Sequence, residues 1–274
     1  MFLGKGKIAA DGGEVARASF GDAGGGAGGR IAAHYESTRF AGKFSAHGGA
    51  SRSEAGGPGT VYLSQNKTHK TLIIDNNGNR ASKLYISNYR DISNDGGRAW
   101  LLAEHMDEFT INLLQLRGGS HFAIYHLRPT FTLNIERLEG DLGGFIHVSK
   151  KNRVYINNAP RLFPASFHIY NEGFLHLPRD VLLKDLFYPR ISLEGLISGM
   201  DNLTIGGGAE FVVTDQVLLS LNFKKPSQTA CQTVRPSIDH LPVSQVVSLL
   251  SCQSVRCSKV CLVSCFISQY RSLR

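Results

Sequence analysis

Gly24, Gly26 and Gly29 satisfy the spacing G-x-G-x-x-G, in which a strand hands over to a helix whose first amides hold a pyrophosphate. The surroundings do not suit that chemistry. Ala18-Ser19-Phe20-Gly21-Asp22 makes no buried strand, and the residues after Gly29 read as β rather than helical. A glycine-lined turn where backbones approach closely is the better reading, and no cofactor is expected. Gly56-Gly57-Pro58-Gly59-Thr60-Val61 is laid out like the calcium nonapeptide of β-rolls, but Val61 stands where the ligating Asp belongs. A hard cation therefore finds no anionic oxygen there. Asp75-Asn76-Asn77-Gly78 opens like an EF-hand loop, yet Ile86 occupies the place of its closing Glu.

The ten histidines stand singly, with no i, i+4 pair, and His121 and His126 differ in strand parity. Surface or edge positions are expected for them, and no metal site. Sugar-cleaving chemistry needs carboxylates set apart on one face as acid and base. Asp91 and Asp95 share parity, and Glu136, Glu139 and Asp141 are close in sequence. None has a partnering His or Arg in a recognisable setting, so surface charge accounts for them and no catalytic residue is assigned. Cys252, Cys257, Cys261 and Cys265 lack the close pairs of a zinc module. G-x-S-x-G, H-E-x-x-H and the P-loop are absent.

The elements that would position such residues are short and β-like. Residues 30–35 and 40–46 alternate small or apolar side chains with polar ones, as strands with one buried face do. Similar runs recur at 60–63, 71–75, 83–86, 109–116, 122–125, 131–135, 145–148, 154–156, 167–170, 174–177, 191–197, 203–205 and 211–213. The loops between them are too short for the crossover helices of a βαβ fold. Only 98–106 and 180–186 have the pattern of short helices. An all-β fold follows, and a solenoid is favoured over a sandwich. Residues 191–213 place three short strands within one repeat length, as one coil of a parallel β-helix would, and small residues (Ala32, Ala33, Ala46, Ala50) lie near the glycines.

Composition divides the chain. Of its 30 glycines, 16 lie in residues 1–60, and all five cysteines lie beyond residue 230. Residues 1–225 read as the folded body, with a glycine-rich part at 11–60. Residues 226–274 are rich in Ser, Val and Cys and contain no glycine. They read as a tail outside the fold, disordered or the product of a faulty gene model. The tail carries +4 of the net +8. What remains on the body is mildly basic with alternating signs, so nucleic acid is not an expected partner. No apolar run reaches the ~18 residues of a membrane helix. The N-terminus shows no export signal. If the chain is a fragment of an exported protein, the sequons at Asn66 and Asn202 become glycosylation acceptors.

From Gly24-Gly25-Gly26-Ala27-Gly28-Gly29-Arg30-Ile31-Ala32, through Phe44-Ser45-Ala46-His47-Gly48-Gly49, to Gly56-Gly57-Pro58-Gly59-Thr60-Val61-Tyr62-Leu63, the chain resembles the glycine-rich repeats of very large secreted or surface-anchored proteins of parallel β-helix character. Residues 201–213 look like the later part of such repeats. The resemblance implies a right-handed parallel β-helix, or solenoid-like body, and an extracellular or cell-surface structural or adhesive role. Protein or glycan surfaces would be its partners, and no catalytic residue carries over. The glycines quoted, with Pro58, would be structural turns. The competing expectation is a carbohydrate-active β-helix enzyme of the lyase or hydrolase type. A bacterial-type surface or passenger domain is a third.

Overall fold

The computed structural model describes residues 1–15, 24–51, 54–79, 97–149, 152–170, 172–193, 195–213 and 261–262. Asp91, Asp95, the run at 83–86 and the tail apart from 261–262 lie outside the described residues. Within them the protein is all-β, and the strands are numbered β1 to β21 along the chain.

One eight-stranded sheet contains, in spatial order, β3 (Arg30–Tyr35), β6 (Thr60–Gln65), β7 (His69–Asp75), β9 (Glu108–Arg117), β11 (Phe131–Gly140), β13 (Asn152–Asn158), β15 (Phe174–His176) and β18 (Leu196–Ser198). A six-stranded sheet runs β8 (Arg98–Leu102), β10 (His121–Tyr125), β12 (Gly144–Val148), β14 (Ala165–Ile169), β17 (Arg190–Leu193) and β20 (Glu210–Val213). A third sheet pairs β16 (Asp180–Leu183) with β19 (Asn202–Ile205), and β21 (Cys261–Leu262) adds to β19 in antiparallel fashion. From β8 to β20, parallel partners lie 20–24 residues apart: Thr132 faces Glu108, Arg153 faces Thr132, and Phe174 faces Arg153. The β6–β7 hairpin is the antiparallel exception in the large sheets.

Register sets the core. Leu133, Val154, Leu175 and Ile197 form one inward row. Val148, Ile169 and Leu193 form a second, and Val181 with Leu203 and Leu183 with Ile205 a third. All belong to a single buried cluster fed by the three sheets. Along β11 the alternation slips: Ile135 and Leu138 are buried while Glu136 and Arg137 both face out. Between these strands, turns stack on one another. Asn77 (φ 52°), Gly118 (φ 60°) and Leu142 (φ 68°) are left-handed, and the Gly118 amide donates to Asp141 Oδ2 at 3.0 Å.

Two expected helices are strands instead. Residues 98–102 form β8 and 180–183 form β16. An apolar run of three or four residues fits either period, and here parallel partners on β10 and β19 decide the outcome.

The N-terminal glycines build something other than turns or a sheet. Residues 9–15, 24–29, 45–50 and 54–59 run side by side, and none of the described glycines among them is left-handed. Ala10, Gly12 and Val15 amides donate to Ser45, His47 and Ala50; Gly26 and Gly29 to Gly13 and Ala10; Gly25 and Gly28 to Glu54 and Gly57. Gly49 donates to Gly26, and Gly56 and Gly59 donate to Gly49 and Ala46. Segments 24–29 and 45–50 therefore each bond three neighbours, where a strand in a sheet bonds two. Donors three residues apart reach the same neighbour, which is the period of an extended threefold helix of the polyproline II kind. Such crowding leaves no room for side chains. A Cβ on Gly28 would stand 2.2 Å from Ala46 O, and one on Gly56 would stand 1.9 Å from Gly26 O.

Side chains tie this bundle to its surroundings. Asn76, buried after β7, accepts from the Gly48 amide at 2.9 Å and donates to Gly56 O at 3.1 Å. Asp11 accepts from Ser45 Oγ, from the His47 amide at 3.3 Å and from Lys7 Nζ at 2.8 Å. Burial pushes the Asp11 pKa upward, but the hydrogen bonds from Lys7, Ser45 and the His47 backbone outweigh it and hold the carboxyl below its ordinary range. The aromatic cluster Phe2, Phe40 and Phe44 packs beside β2 (Lys7–Ala9) and β5 (Lys43–Ser45).

Gly56→Ala should therefore destabilise the protein by about 3 kcal/mol or more through overpacking against backbone. Gly13→Ala, whose Cβ would meet nothing within 4 Å, should be near neutral. Urea unfolding of both variants checks this, and equal midpoints would contradict the close-packed bundle.

Candidate functional site

In the eight-stranded sheet, the residues that alternate with the core rows point away from it, and parallel register lines them up. Glu108, Thr132, Arg153, Phe174 and Leu196 form one row across β9, β11, β13, β15 and β18. Thr110, Asn134, Tyr155, His176 and Ser198 form the next. Adjacent parallel strands are about 4.8 Å apart, so each row is a straight line of side chains at that spacing.

Contacts within and beside the rows hold these side chains in place. The Tyr155 ring lies 5.4 Å from Phe174 and 5.6 Å from His176. His176 Nδ1 and Ser198 Oγ share a hydrogen bond at 3.0 Å. Asn134 Nδ2 donates to Glu108 Oε1 at 2.5 Å, and Asn112 Nδ2 donates to Glu136 Oε2 at 2.8 Å. Arg153 is exposed and Leu196 is 43% exposed, while Tyr155, Phe174 and His176 are half-buried. The surface therefore mixes ring faces with amides, hydroxyls, one guanidinium and carboxylates.

The carboxylates considered as acid and base are spread over different tasks. Glu136 binds Asn112, Glu139 binds Arg137 and accepts from Gln115 Nε2 at 2.9 Å, and Asp141 accepts from the Gly118 and Gly143 amides. Among the described residues no group of three or more His, Cys, Asp or Glu side chains is arranged to hold a metal ion. No helix of the described residues is long and apolar enough to cross a membrane.

In the six-stranded sheet the outward residues of β10, β12 and β14 are buried, apart from Tyr125 at the end of β10. His121 faces Phe145, and His147 faces His168, which in turn faces Ser192. Tyr188, from the β16–β17 connection, lies across this face with its ring edge-on to His121 at 4.7 Å. Its hydroxyl donates to Gly119 O at 3.0 Å, and its carbonyl accepts from Ser166 Oγ. Beneath it His121 Nδ1 and His147 Nε2 share one hydrogen bond at 3.0 Å. Burial, with the Arg98 charge added, pushes the His121 pKa down to about 3. Burial first, then the charges of Arg98, His121 and His168, puts His147 well below the ordinary value.

These three histidines are not the scattered surface groups expected of them. They lie 26 and 21 residues apart, close to the strand-return length, and that spacing is the signal in the sequence that could have grouped them. The two outward rows were not anticipated either. Of the glycines expected as turns, Gly24, Gly25, Gly26, Gly28 and Gly29, with Gly56, Gly57, Pro58 and Gly59, lie in extended segments of the bundle. Of the sequons, Asn66 sits in the exposed β6–β7 turn with φ 50°. Asn202 lies on β19, where its Nδ2 donates to Asp180 Oδ1 at 2.6 Å. Compared with protein-family models, curated proteins and solved structures, the chain matches none.

The neutral histidine pair makes stability depend on acid. Below the ordinary histidine pKa of 6.5 the unfolded chain binds protons at positions 121 and 147 that the folded chain refuses, so stability falls as pH drops. Each group contributes about 1.4 kcal/mol per pH unit in that window. Denaturant unfolding from pH 7 to pH 4.5 should show this slope, and the double variant His121→Phe, His147→Leu should flatten it. An unchanged slope in the variant would contradict the buried neutral pair.

Proposed function

We propose that the chain is part of a right-handed parallel β-solenoid that serves as an extracellular structural or adhesive module. The regular return of parallel strands every 20–24 residues and the single core fed by three sheets support the solenoid. The observation that carries the functional reading is the pair of outward rows: five consecutive strands present aligned, part-exposed aromatic and polar side chains. The opposite treatment of β10 and β12, where Tyr188 packs over His121 and Phe145, sharpens the contrast. The exposed sequon at Asn66 suits a secreted location.

A carbohydrate-active enzyme on the same framework would need two carboxylates free to act as acid and base. Glu136, Glu139 and Asp141 are instead engaged in separate hydrogen bonds, which favours binding over cleavage.

The test uses the full chain, secreted and purified, on immobilised polysaccharides and extracellular-matrix proteins. The wild type should be retained on at least one. The double variant Arg153→Glu, Phe174→Ala should lose about tenfold in affinity, because it removes the centre of a row while changing side chains that are exposed or half-buried. Its thermal unfolding should shift little. Equal retention of both proteins would refute the assignment of this face.

A further inference from the structure

The two rows also define the kind of ligand that fits them. We infer that the outer face of the eight-stranded sheet binds an extended, neutral glycan chain lying across the strands, with about one sugar per strand. This rests on the reading of that face as the contact surface.

Spacing is the first argument. Strands are about 4.8 Å apart, whereas an extended peptide advances about 3.3 Å per residue and repeats its side-chain direction only every second residue. A peptide laid along the rows would fall out of step within two strands. A pyranose in an extended β-1,4-linked chain is close to one strand spacing long, and successive rings are turned over, so alternate sugars stay in step with every second strand of β9, β11, β13, β15 and β18.

Backbone accessibility is the second. β11, β13 and β15 are each paired on both edges, so a peptide gains no main-chain hydrogen bonds by β-augmentation at this face. Recognition falls to side chains.

Their chemistry is the third. Tyr155, Phe174 and the aliphatic Leu196 offer apolar surface for the C–H face of a sugar ring. Asn134, His176, Ser198, Arg153 and Glu108 supply the donors and acceptors that hydroxyl groups need. In the two rows Glu108 and Arg153 offset one another in charge. A polyanion, a nucleic acid included, meets no basic track here, and a neutral chain is accommodated.

The probes are β-1,4-linked oligomers of glucose, xylose and N-acetylglucosamine, two to eight sugars long, titrated against the full chain by calorimetry. For at least one series, affinity should rise with length and level off at about five sugars, the number of strands in the rows. Raising the salt concentration should change it little. Tyr155→Ala with Phe174→Ala should cost at least tenfold on the pentamer, and Tyr155→Phe should keep most of the affinity. A dimer that binds as tightly as the octamer, affinity unaffected by the double alanine variant, or no binding in any series overturns the inference. In the last case, if Arg153→Glu, Phe174→Ala still abolishes retention on a matrix protein, the face remains a contact surface and its ligand is a protein. If that variant changes retention nowhere, the contact-surface reading falls with it.

Discussion

The structure depends on one constraint: the chain must come back to the same sheet in parallel, in register, every 20–24 residues. In a parallel pair, registered partners point to the same side of the sheet whatever the length of the connection, so each residue lies beside its equivalent, with like facing like. The core rows of Leu, Val and Ile follow, because a buried position in one strand lies beside a buried position in the next. So do the rows on the outside. A one-residue slip would turn Leu133, Val154 and Leu175 outward and Asn134, Tyr155 and His176 inward, which the buried cluster forbids. The same hydrophobic pattern that holds the core thus fixes the spacing of the exposed side chains.

The N-terminal bundle satisfies the same need for backbone pairing by a different route. A strand in a sheet pairs with at most two neighbours, whereas segments 9–15, 24–29, 45–50 and 54–59 set glycines at the crowded positions, and 24–29 and 45–50 each reach three others. The cost is that almost any Cβ at the inner positions collides with a carbonyl oxygen. Asn76 reconciles the two regions. Its side-chain amide bonds Gly48 and Gly56 in the bundle while its backbone continues from β7, which pairs with β9 in the eight-stranded sheet.

Most strands were legible from the sequence because their alternation is local: residues 109–116, 131–135, 145–148 and 154–156 need no knowledge of their partners. β8 and β16 were not, since three or four consecutive apolar residues satisfy two periods and only the neighbouring strand chooses between them. Glycine clusters point first to turns, a turn being their commonest use. The bundle depends on which distant segment lies alongside, and no single window contains that. The candidate face was hidden for the same reason. Arg153, Phe174 and Leu196 become neighbours only once the register of β13, β15 and β18 is known. His121 and His147 likewise become a pair only when the sheet is assembled and Tyr188 closes over them.

The central claim, that outward residues from five parallel strands form straight rows at strand spacing, has a direct physical test. Spin labels at positions 108 and 196 sit at the two ends of one row, four strand intervals apart. Pulsed dipolar spectroscopy on that doubly labelled protein should give a single narrow distance distribution centred at about 20 Å. A broad distribution, or one centred beyond about 30 Å, would contradict the stacked parallel register on which the rows depend.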